Sequence, residues 1–73
     1  MNEQLVLRVL GMDCAACEQR LAYAVRRVEG VRYAVADHGT GVLEVHLMPG
    51  TDREAVAARV VEAGFTVTGV ETR

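Results

Sequence analysis

Along the chain Leu5, Leu7 and Val9 alternate with Val6, Arg8 and Leu10, the first set on one face and the run's only polar residue, Arg8, on the other. That period of two predicts a strand with the first set turned inward. Gly11 interrupts it. From about Ala16 to Val28 the spacing becomes three and four: Cys17, Leu21, Ala24, Val25 and Val28 form one stripe, and Glu18, Arg20, Arg26, Arg27 and Glu29 cover the other side. This predicts an amphipathic helix, with Gly30 as its C-terminal cap. Two strands are expected next, at about Val31–Asp37 and Val42–Leu47, paired as a hairpin through the glycine-rich turn His38-Gly39-Thr40-Gly41. In the second of them Leu43, Val45 and Leu47 face inward. In the first, hydrophobicity alone selects Val31, Tyr33 and Val35 over Ala34 and Ala36. Met48-Pro49-Gly50 ends the hairpin. Thr51 and Glu54 stand three apart before an apolar run, the spacing of a capping box. A second helix is therefore expected from about Asp52 to Ala63, burying Val56, Val60 and Ala63 and capped by Gly64. A last strand at about Phe65–Val70 precedes a polar tail, Glu71-Thr72-Arg73.

The order is β-α-β-β-α-β. Right-handed β-α-β crossovers place both helices on one face of a four-stranded sheet. The expected fold is α+β, the ferredoxin-like arrangement with an antiparallel sheet, as one domain over residues 1–73. A chain of 73 residues buries a modest core and has no room for a deep enzyme pocket. Its net charge of −2 argues against nucleic-acid binding. No apolar run approaches the roughly 18 residues that cross a bilayer. The start, Met1-Asn2-Glu3-Gln4, lacks the basic character of a secretory leader. A cytoplasmic, reducing setting is expected.

The chemistry concentrates in Gly11-Met12-Asp13-Cys14-Ala15-Ala16-Cys17, which holds the only two cysteines. They fall where a strand passes into a helix. The first amides of a helix lack internal partners and carry partial positive charge, so they favour thiolate over thiol. A C-x-x-C bridge would close too short a loop to stabilise much. In a reducing setting such a pair serves metal or redox work. Two thiolates on one loop suit Cu(I), Zn(II), Cd(II), Hg(II) or Pb(II). Asp13 adds a hard, anionic oxygen donor, and a charge of −3 favours a divalent ion. The competing role for Asp13 is a loop acid favoured by the helix dipole.

Order and motif together resemble the heavy-metal-associated domain family, over about Leu5 to Val70. The family's G-M-x-C-x-x-C falls on Gly11, Met12, Cys14 and Cys17, its G-V after the first helix on Gly30-Val31, and its later glycine and aromatic on Gly64-Phe65. That family includes soluble metallochaperones and the N-terminal domains of heavy-metal P-type ATPases. The form GMDCAAC resembles exporters of zinc, cadmium and lead, whereas copper members more often carry threonine or serine at the position of Asp13. The resemblance implies metal ligation by Cys14, Cys17 and Asp13, with Gly11, Met12 and Phe65 around them: Gly11 for a tight turn, Met12 as core under the loop, Phe65 as an apolar cover. It implies a non-catalytic module that passes Zn(II), Cd(II) or Pb(II) to or from a metal-transporting ATPase or another metal-binding domain. The chain would be a monomer, or a dimer sharing one ion. Cu(I) chaperoning is the alternative. A thiol-disulfide oxidoreductase is disfavoured, because such domains are longer and set a proline facing the thiols, and Pro49 is the only proline here.

The resemblance also turns Ala34 and Ala36 toward the helices. Val6, Leu10, Tyr33, Val35, Val42 and His46 then lie on the open sheet face. His38 and His46 are expected to lie far from the cysteines. Glu18, Arg20 and Asp52–Glu54 are candidates for electrostatic docking of a partner.

Overall fold

The computed structural model describes residues 3–72. Its elements run β1 (Glu3–Leu10), α1 (Ala15–Arg26), β2 (Val31–Asp37), β3 (Val42–Leu47), α2 (Arg53–Glu62) and β4 (Thr66–Thr72). The strands form one antiparallel sheet in the order β2-β3-β1-β4, and one core joins its inner face to both helices. Part of the expected tail is strand: Glu71 pairs with Val6 and Thr72 with Leu5. Arg73 lies outside the described residues, as do Met1 and Asn2 of the start expected to lack a leader.

The core follows the alternation. Leu5 and Leu7 of β1 and Leu43, Val45 and Leu47 of β3 are fully buried against Leu21 and Val25 of α1 and Val56 and Val60 of α2. Each such side chain contributes about 1.5–3 kcal/mol relative to exposure. Ala22, missed by the stripe, is buried, while Ala24 is half-buried. Val6 departs from expectation too. It lies on the open face but is only 7% exposed, flanked by Glu44 and Glu71 of the neighbouring strands.

The ambiguous face of β2 has a physical cause. The register slips between Val31 and Tyr33, leaving Arg32 as an extra residue in the ladder. A bulge of this kind reverses the alternation. Val31 can therefore pack on the core on one side of it, and Ala34 and Ala36 on the other, while Tyr33 and Val35 are exposed.

Two caps differ from expectation. Asp52, not Thr51, caps α2: its carboxylate accepts the Glu54 N–H at 3.0 Å. The Thr51 hydroxyl instead donates to the Met48 carbonyl at 2.6 Å, with the Gly30 carbonyl at 3.3 Å sharing the same proton. Gly30 is not the cap of α1, which is Arg27. With φ +92°, Gly30 sits in the following turn, closed by Val31 N–H donating to the Val28 carbonyl. Gly64 does end α2 as expected. Its N–H donates to Val61, and the N–H of Phe65 to Val60, the paired bonds of a Schellman motif. That motif delivers Phe65 to the core beside the cysteine loop.

Candidate metal centre

β1 ends at Leu10, and Gly11 takes φ +94°, a left-handed turn that side chains disfavour. The turn sends Met12 inward, where it is 4% exposed, and leaves Asp13 and Cys14 at the surface. Met12 is thus a core residue under the loop. Phe65, 7% exposed, covers the same turn: a Cβ on Gly11 would stand 3.6 Å from its ring.

Cys14 is the N-cap of α1, with extended backbone (φ −153°, ψ 164°). Its Sγ accepts the Cys17 N–H at 3.3 Å, and its carbonyl accepts the Glu18 N–H at 3.1 Å. One helical turn then carries Cys17 back to the same side. The two Sγ atoms are 2.7 Å apart and both thiols are free. Asp13 Oδ1 lies 3.7 Å from Cys17 Sγ. The ligand atoms of Asp13, Cys14 and Cys17 all fall within 4.8 Å of one another.

The two thiols are not equivalent. The side-chain bond from Cys17, then the Cys17 N–H and that of Ala16, hold the Cys14 thiol below its ordinary value. The shared bond with Cys14, with burial added, pushes Cys17 up. Cys14 is exposed, whereas Cys17 packs partly against the core. One sulfur is therefore anchored and the other is presented to solvent as the readier thiolate.

His38 is not remote from this loop. Its N–H and Nδ1 both meet Glu18 Oε2, at 2.6 and 2.5 Å, and Glu18 directly follows Cys17. These contacts, the backbone one first, hold the Glu18 carboxyl below its usual range. Topology is the signal that should have placed His38 here: α1 begins at the end of the sheet where the parallel β1 and β2 both finish. His46 lies on the open face as expected, stacked on Tyr33 with ring centroids 4.1 Å apart.

The profile of the heavy-metal-associated domain family matches residues 6–66. The chain belongs to that family. A mercuric reductase of Serratia marcescens is 32% identical over 59 residues, covering 81% of this chain, and a copper-exporting P-type ATPase of Mycobacterium tuberculosis is 33% identical over 63 residues, covering 86%. The matched stretch is 13% and 8% of those relatives' lengths. Among solved structures, the copper-binding domain from HMA7, a P-type ATPase, superposes with a TM-score of 0.81 at 28% identity, covering 100% of this chain and 95% of that one. The ferredoxin-like fold and the family agree, and as a heavy-metal-associated domain the chain binds a soft metal ion. Among the described residues no helix is long and apolar enough to cross a membrane.

Proposed function

We propose that the chain is a non-catalytic transfer module, one domain over residues 1–73, which holds a soft ion on Cys14 and Cys17 and passes it to thiolates of a partner. The observation that carries this is the asymmetric, surface-borne thiol pair: Cys17 anchored on α1, Cys14 exposed with its thiol held low. An incoming thiolate can join the ion before a host thiolate leaves, so the ion is never free. The partner is a metal-transporting P-type ATPase or another metal-binding domain, in the cytoplasm. The chain acts as a monomer, and a dimer sharing one ion would show as metal-dependent association.

For the ion, a divalent metal of the Zn(II), Cd(II) or Pb(II) kind with Asp13 as third ligand fits the spacing. A tetrahedral zinc with sulfur at about 2.3 Å and oxygen at about 2.1 Å sets S···O near 3.6 Å and S···S near 3.8 Å. Asp13 Oδ1 and Cys17 Sγ stand at 3.7 Å. The thiols, at 2.7 Å, need to part by about 1 Å for this geometry. X-ray absorption of the zinc form tests the ligand set: mixed sulfur and oxygen ligation is expected, and sulfur-only ligation contradicts the role of Asp13.

Cu(I) is the second reading, favoured by the copper-exporting relative and the copper-binding domain of similar structure. Two thiolates satisfy Cu(I), and tight copper binding alone decides nothing. Insulin-reduction activity above background would instead support a thiol-disulfide oxidoreductase.

A further inference from the structure

Beside the thiols, the first turn of α1 and the end of β2 bring together three other donor groups. Glu18 on α1, Asp37 at the last position of β2 and His38 just after it offer ligand atoms within 4.8 Å of one another. Glu18 and His38 are 20 residues apart in the chain, so the fold assembles this group. We propose that it is a second metal site, distinct from the thiolates, for a divalent cation of borderline hardness such as Zn(II) or Ni(II).

The donor set fits that class. An imidazole nitrogen suits zinc, nickel and copper, and carboxylates draw the preference toward harder ions. A neutral imidazole with two carboxylates carries −2, which a divalent ion offsets. Much of the arrangement exists before any ion arrives. Asp37 Oδ1 accepts the Gly39 N–H at 2.8 Å, which orients the carboxylate, and the Asp37 carbonyl accepts the Gly41 N–H at 2.9 Å, which closes the turn. His38 N–H bonds Glu18 across the gap at 2.6 Å and fixes the turn to α1. An ion with ligands at about 2.0–2.2 Å holds neighbouring donors about 3.3–3.5 Å apart. His38 Nδ1 and Glu18 Oε2, now 2.5 Å apart, would separate by about 1 Å or less, a small motion for side chains 46% and 26% exposed. Three protein ligands leave positions for water. Because the set contains no sulfur, it would not compete for Cu(I), and the two sites would select ions of different softness. This site does not depend on which ion the thiolates carry.

The test is a calorimetric Zn(II) titration of the whole chain under reducing conditions, with His38→Ala and Asp37→Asn beside it. The wild type is expected to take a tight first equivalent and a weaker second one. Each variant should weaken the second step tenfold or more and keep the first, whose retention shows that the variant folds. In Cys14→Ser/Cys17→Ser, Co(II) should broaden the resonances of the His38 ring and the Gly39 amide before others. Absence of a second step in the wild type, its persistence within twofold in both variants, its loss in His46→Ala, or Co(II) broadening centred elsewhere would each overturn the proposal. The three groups would then be only a hydrogen-bonded clasp.

Discussion

Gly30→Ala probes how the far end of α1 is held. A Cβ at Gly30 would stand 2.3 Å from Thr51 Oγ1 and 2.9 Å from its Cγ2, on a backbone with φ +92°. Thr51 is not free to yield, because its hydroxyl donates to both Met48 and Gly30 carbonyls, and the Gly30 carbonyl also takes the Met48 N–H at 2.8 Å. Gly50 supplies the control: its φ is +85° and nothing lies within 4 Å of an added Cβ. Both alanines carry the left-handed penalty of about 1–2 kcal/mol. Only Gly30→Ala also displaces Thr51, whose single hydroxyl proton, shared between the two carbonyls, makes a hydrogen bond worth about 0.5–1.5 kcal/mol. The expected losses are thus about 1–2 kcal/mol for Gly50→Ala and about 1.5–3.5 kcal/mol for Gly30→Ala. At about 0.05–0.15 kcal/mol per residue, the larger loss removes a large share of the whole stability. Urea unfolding of the reduced, metal-free chain, followed by circular dichroism, measures both. Thr51→Ala in the Gly30→Ala background removes the two closest atoms and should recover about 1 kcal/mol relative to additivity. Equal losses at the two glycines, or strict additivity of the pair, would show that Thr51 yields without cost. Zinc affinity of the folded variant should be unchanged, since α1, 12 residues long, separates Gly30 from the cysteines by about 18 Å.

Iodoacetamide at neutral pH should modify Cys14 before Cys17, read by peptide mass mapping, because Cys14's thiol is lowered and Cys17's raised. Equal or inverted labelling contradicts that. The linkage follows the same signs: Cys14 adds stability above its unfolded value that is lost as pH falls through the folded one, Cys17 has the opposite sense, and the two oppose each other. The Cys14 effect acts below the ordinary thiol value and the Cys17 effect above it, so Tm of the reduced metal-free chain should rise as pH approaches that value and fall beyond it, and a steady change in one direction would contradict the pairing. Asp52→Ala should cost about 1 kcal/mol in urea unfolding through loss of the α2 cap. Leu43→Ala, at a fully buried position, should cost about 2–5 kcal/mol, while Leu10→Ala, 61% exposed, should stay within about 0.5 kcal/mol.

The element order was legible because each apolar face keeps its period: Leu5, Leu7 and Val9 on β1, Leu43, Val45 and Leu47 on β3, Val56 and Val60 on α2 all lie where the alternation puts them. β2 was not legible from hydrophobicity, since the bulge at Arg32 changes the face midway and the inward positions are small alanines. Thr51 and Asp52 show a similar limit. Two residues with capping side chains stand side by side, and the hydrogen bonds of the Gly30 turn take Thr51 away from the helix. The cysteine loop was readable because its parts are consecutive. The approach of His38 to Glu18 depends on where two elements end in space, which no local pattern records.

Asp13 is the proposed third ligand of the ion. Zn(II) affinity by chelator competition, under reducing conditions, for the wild type and Asp13→Ala tests that role most directly, with Cu(I) affinity of the same pair as control. The substitution is expected to weaken zinc tenfold or more, about 1.4 kcal/mol, and to leave copper unchanged. Zinc affinity that is weak in both proteins, with copper unaffected, would contradict that role. Asp13 would then be a loop acid at the helix N-terminus, and Cu(I) the better account of the cargo.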